Sequence, residues 1–166
     1  MRSGGKVPPA LLADSPGGPI FFMPSSLADE RAKDNFANTA RLICVAHAAT
    51  AAVMILEAWM KTAAPDGSLD LTVPPSESLH RREVVMLAGE SRSGFKQKIL
   101  PIIRTDAGGF FGFGDFEGPD ATSFQGRFAQ ILPPKLPSSE MQTKARTLLA
   151  AMGVTAEALR RDWSGN

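Results

Sequence analysis

A chain of 166 residues with 43% apolar and 21% charged side chains has enough apolar surface to bury a core, which excludes wholesale disorder and fits one domain. Its 18 Lys and Arg against 17 Asp and Glu leave a net charge of +1, so a general polyanion-coating surface is excluded and any basic patch is local. The single cysteine, Cys44, rules out an intramolecular disulfide and, with seven methionines, points to a reducing, cytoplasmic setting.

Residues 1–18 are interrupted by prolines and glycines. They read as an irregular arm, packing through Leu11 and Leu12, with no apolar h-region of a signal peptide. Residues 20–23 (IFFM) lie between Pro19 and Pro24 and predict a short edge strand, where missing N–H groups matter least. From Ser25 to Ala64 there is no Gly or Pro. Ser26 is a candidate N-cap with Asp29 and Glu30 behind it. Phe36, Ala40, Ile43, His47, Ala51, Met54 and Ala58 recur at helical spacing. This stretch predicts one long central helix of about 35 residues, with a possible break near Ala37-Asn38-Thr39. Its 15 uncharged residues between Arg41 and Glu57 are too few and too alanine-rich for a bilayer span, so the helix is expected in the core.

Beyond Pro65-Asp66-Gly67 the period changes. Residues 82–90 (REVVMLAGE) and 95–104 (FKQKILPIIR) flank Ser91-Arg92-Ser93-Gly94 and predict a hairpin. Residues 109–113 and 125–132 are the third and fourth strand candidates of an antiparallel meander. In the tail, Ser139-Glu140-Met141-Gln142 is a capping-box pattern opening a helix that Gly153 closes, and Thr155 can cap a last helix over 156–163. The expected fold is α+β: one long central helix on an antiparallel sheet of about four strands, with two short C-terminal helices. The expected division is an arm at 1–18, a core at 19–132 and a C-terminal helical hairpin at 133–166.

Chemistry is sparse. Cys44 and His47 share a helix face, a nucleophile–base or metal pair in principle, but no acidic residue stands near them in sequence and no zinc spacing is present. Glu57 reads as half of an i,i+4 ion pair with Lys61, or as a shifted acid if buried; His80 is the only other histidine. Arg82, Arg92, Lys96, Lys98 and Arg104 form the densest basic region, and Lys96, Lys98 and Arg104 share one strand parity. The run 108–118 (GGFFGFGDFEG) has no helix behind it to make a phosphate loop. Packing against the long helix accounts for Phe110, Phe111 and Phe113, and a partner surface that includes Phe111, Phe113 and Phe116 is the alternative. No P-loop, GxSxG, HExxH, CxxC or EF-hand motif occurs, and no cofactor or metal is expected. The reading is a non-enzymatic protein-interaction module (an adaptor, inhibitor or accessory subunit) working through the sheet surface and basic hairpin. A small hydrolase or nuclease using His47, Glu57 or His80 is the alternative, and nucleic-acid binding through the 81–104 hairpin a further one.

Overall fold

The computed structural model describes residues 6–63, 67–69, 72–115, 126–155 and 159. Over these residues it is α+β, with a curled antiparallel six-stranded sheet and two α-helices. In chain order the elements of the described residues are β1 (Ala10–Asp14), β2 (Ile20–Phe22), α1 (Glu30–Ala46), β3 (Ala51–Lys61), β4 (Arg81–Ser91), β5 (Gly94–Arg104), β6 (Phe110–Phe113) and α2 (Ser139–Ala151), with a 3-10 turn at Pro75–Glu77. The strand order is β2-β1-β3-β4-β5-β6, all neighbours antiparallel.

The long helix of the sequence reading is two elements. α1 opens at Asp29, whose carboxylate accepts the Ala32 N–H at 2.7 Å; Ser26 instead accepts from Ala28. Phe36, Ala40 and Ile43 form its buried stripe. The helix stops at His47 because Ala48 turns into the left-handed region (φ 51°), and the Ala49 N–H folds back onto the Cys44 carbonyl at 2.9 Å. No glycine or proline marks this turn. Residues 51–61 then run extended as β3, where Ala52, Met54 and Leu56 are buried and the residues between them are not: a period of two, not 3.6.

The N-terminal arm is also partly a strand. Residues 10–14 form β1, whose Leu11 is fully buried and which pairs with β2 on one side and β3 on the other. The short strand after Pro19 does lie at the sheet edge, and the 91–94 hairpin forms as expected, Gly94 taking φ 139°.

The fourth strand candidate, 125–132, is no strand over its described residues. Gly126 and Gln130 take positive φ (116° and 53°), and 126–134 is held by side chains instead of a ladder. Arg41 donates to the carbonyls of Arg127, Ala129 and Gln130. The Glu90 carboxylate accepts the N–H groups of Ile131 and Leu132, and Arg92 donates to the carbonyls of Pro133 and Pro134. These contacts satisfy backbone groups that a strand would have paired, and they hold Phe128 against Phe36 at 6.0 Å.

Helix α2 begins one residue earlier than the capping-box reading, with Ser138 as the cap accepting from Met141. It packs on α1, and the Arg146 Nε donates to the Ala46 carbonyl at 3.0 Å, neutralising an orphan acceptor at the α1 C-terminus. Gly153 ends it at φ 77°. The last helix, expected over 156–163, lies outside the described residues apart from Leu159, which is buried in the core.

Candidate interaction surface

The pairing registers place every sheet residue on one of two faces. Leu11, Ala13, Ala52, Met54, Leu56 and Ala88 point toward α1 and α2 and belong to the hydrophobic core. The opposite face presents Leu12, Val53, Ile55, Leu87, Leu100 and Ile102, and none of these belongs to that core. Each is half-buried. Val85 and Ala10 on the same face are each only 3% exposed. A sheet face left to water normally alternates to polar residues; this one carries six aliphatic side chains from β1, β3, β4 and β5 beside its charged residues.

The far end of the face is aromatic and charged. Trp59 is 43% exposed and carries the Arg81 guanidinium 4.6 Å above its ring; Arg81 also donates to the Ser76 carbonyl of the 3-10 turn. Phe113 lies opposite Ile102 and Phe110 opposite Arg104. The register shift between Ile103 and Arg104 brings both rings to one side, edge to face at 5.1 Å. Packing against a helix is therefore not what Phe110, Phe111 and Phe113 do: they are 42%, 75% and 47% exposed. Phe116 lies outside the described residues.

Between the aromatic end and the aliphatic centre sits a polar cluster. Arg104 grips Glu83 with Nε–Oε2 at 2.5 Å and Nη2–Oε1 at 2.6 Å, a bidentate pair. The Arg104 guanidinium beside it holds the Glu83 carboxyl below its ordinary range. Glu57 also accepts the Val7 N–H at 2.8 Å, tethering the chain ahead of β1 to this face.

The basic residues separate by face. Lys96 and Lys98 project from β5 beside Gly89 and Leu87, exposed, with no ion pair among the described residues. Arg104 shares their face but is occupied by Glu83. Arg82 is exposed on the opposite side of the sheet, beside Met60, and Arg92 is engaged with the 133–134 carbonyls.

The catalytic candidates do not converge. Cys44 is fully buried, and burial pushes its thiol up to about 12, so at neutral pH it is a neutral core side chain rather than a nucleophile. His47 caps α1 and lines a hollow of about 450 Å3 with Arg146, Leu149 and Thr155; no carboxylate is among the described residues lining it. Glu57 stands on the opposite face of the sheet, paired as above. His80 is exposed just before β4, and its carbonyl accepts from Thr62. Among the described residues no group of His, Cys, Asp and Glu could hold a metal ion, and no helix is long and apolar enough to cross a membrane.

Sequence reasoning missed the aliphatic part of this face, because β1 and β3 were not read as strands. The signal was present in the alternation of Val53, Ile55 and Glu57 against Ala52, Met54 and Leu56. No family model, curated protein or solved structure matches the chain.

Proposed function

We propose that the chain is a non-enzymatic protein-interaction module whose docking surface is the sheet face that α1 and α2 leave open. The observation that carries this reading is the apolar patch on that face. Six aliphatic side chains from β1, β3, β4 and β5 stand outside the core, and exposed Trp59, Phe110 and Phe113 extend them at one end. Contiguous apolar surface of this kind marks interaction sites in folded chains, and aromatic anchors with nearby Arg are the composition of binding hot spots. The exposed Lys96 and Lys98 on one margin favour a protein partner with an apolar centre and acidic residues at its rim.

The test is a photo-crosslinking residue placed at Leu87, with a control at Met141 on the exposed side of α2, in the native cell. The captured partner is then purified, and its affinity for wild type, Leu87→Lys, Lys98→Glu and Met141→Lys is measured. The reading requires that the first two variants weaken binding at least tenfold and that Met141→Lys does not. Capture only from position 141, no capture at all, or equal affinities would reject it.

A further inference from the structure

At the end of the open face where β3 begins, two hollows meet. One, of about 410 Å3, is lined by Leu12, Pro19 and Val53, with Asp14 on its rim and the backbone of Ile20, whose side chain packs in the core, at its edge. The other, of about 290 Å3, is lined by Val53, Gly89, Ser91, Ser93 and Lys96. They share Ala51, Ala52 and Val53, so they form one trough running across the strands from β2 to β5. Its floor is low because the residues there are small. Across the register, Ala51 faces Ser91 and Val53 faces Gly89, and a side chain at Gly89 would reach Val53 Cγ2 at 3.7 Å.

We infer that this trough binds a small amphipathic organic anion, of the class of a medium-chain carboxylate, with its tail over Leu12 and Val53 and its acid group at Lys96. The polarity follows from the ends of the trough. Beside the hairpin, Lys96, an exposed ammonium without an ion pair among the described residues, lines the same hollow as Ser93, whose hydroxyl lies 2.8 Å from that of Ser91; the Ser91 hydroxyl is itself engaged by the Gly94 carbonyl and the Ser93 N–H. At the other end Asp14, which accepts from Thr50 Oγ1 at 3.3 Å, repels an acid group and leaves apolar walls for the tail. Apolar lining with a few placed polar groups is the general form of a small-molecule site. From β1 to β5 the distance is three strand spacings, roughly 14 Å, which suits an extended chain of moderate length. Glu90 and Phe95 also line the second hollow, but their side chains belong to the helix-covered face and Glu90 is occupied by Ile131 and Leu132.

The test is a methyl and amide NMR titration of the purified full chain with sodium decanoate, with decyltrimethylammonium as the charge control. Saturable shifts centred on Leu12, Ala51, Val53 and Lys96 are expected with decanoate and not with the cation. Lys96→Met should weaken decanoate about tenfold, the scale of a hydrogen bond to a charged group. Gly89→Val should abolish it, since its added atoms meet the Lys96 carbonyl at 3.4 Å and fill the trough. Lys96 is exposed, so that variant keeps the test decisive even where Gly89→Val loses its fold. Equal binding of the two amphiphiles, shifts scattered over the whole sheet, or an unchanged affinity in Lys96→Met would overturn the inference. The titration contains no protein partner, so its failure and that of the docking reading are separate results.

Discussion

Met54 and Ile55 are neighbours in β3 that point to opposite faces of the sheet, and replacing each in turn weighs the two faces against each other. Met54 is 2% exposed and packed in the core beneath the helices. Met54→Ala removes three heavy atoms from a fully buried site and leaves a cavity that the surrounding elements cannot close. The transfer and cavity contributions together come to about 2–4 kcal/mol. Ile55 is half-buried with no helix above it, so Ile55→Ala loses a fraction of its transfer free energy and leaves little cavity, about 1 kcal/mol. Polar replacements sharpen the contrast. Met54→Glu buries a carboxylate without a partner and should abolish folding of a domain whose whole stability is on the order of 5–15 kcal/mol, whereas Ile55→Glu should fold. Urea unfolding followed by far-ultraviolet circular dichroism measures all four variants. If Ile55→Ala costs as much as Met54→Ala, or Ile55→Glu fails to fold, the face is covered within the isolated chain and the argument for a docking surface is wrong.

Three further outcomes follow from the geometry. Ala48 holds φ 51° at a strain of about 1–2 kcal/mol for an L-residue, so Ala48→Gly should raise stability by about 0.5–1 kcal/mol after the flexibility cost of glycine; a lower melting temperature would place the α1–β3 turn elsewhere. Glu83 has its carboxyl lowered in the folded state, chiefly by Arg104, so its contribution is fully present above the ordinary glutamate range and fades as pH falls toward the lowered folded value. Arg104→Met should therefore flatten that part of the acid limb of the stability–pH curve, and an unchanged limb would mean the pair forms no more strongly folded than unfolded. Cys44, with its thiol raised to about 12 by burial, should react with a disulfide reagent only as fast as the domain opens, and rapid labelling of the native protein would contradict its place in the core.

What was legible in the sequence follows turn chemistry. Gly94, Gly108 and Gly153 mark real turns with positive φ, so the β4–β5 hairpin, β6 and the end of α2 stand where glycine and strand patterning placed them. The α1–β3 boundary was hidden because Ala48 makes its left-handed turn without glycine. The residues after it also satisfy two periods at once: Ala51, Met54 and Ala58 fit a helix, while Ala52, Met54 and Leu56 fit a strand. β1 was hidden for a different reason, its 5 residues being too short a run between prolines to assert a period. Of the candidate surface, the shared face of Lys96, Lys98 and Arg104 was visible from parity alone. The engagement of Arg104 with Glu83, and of Arg92 with the 133–134 carbonyls, depends on tertiary contacts 21 and about 40 residues apart in sequence that no local pattern encodes.

Carbene footprinting of the purified chain, compared with the same chain at native abundance in fresh extract of its own cells, bears most directly on the open face. Labelling of Leu12, Ile55, Leu87 and Leu100 is expected in the purified protein, with strong protection in extract and no change at Met141. Equal labelling of those four positions in both samples, or no labelling of them in the purified chain, would contradict it.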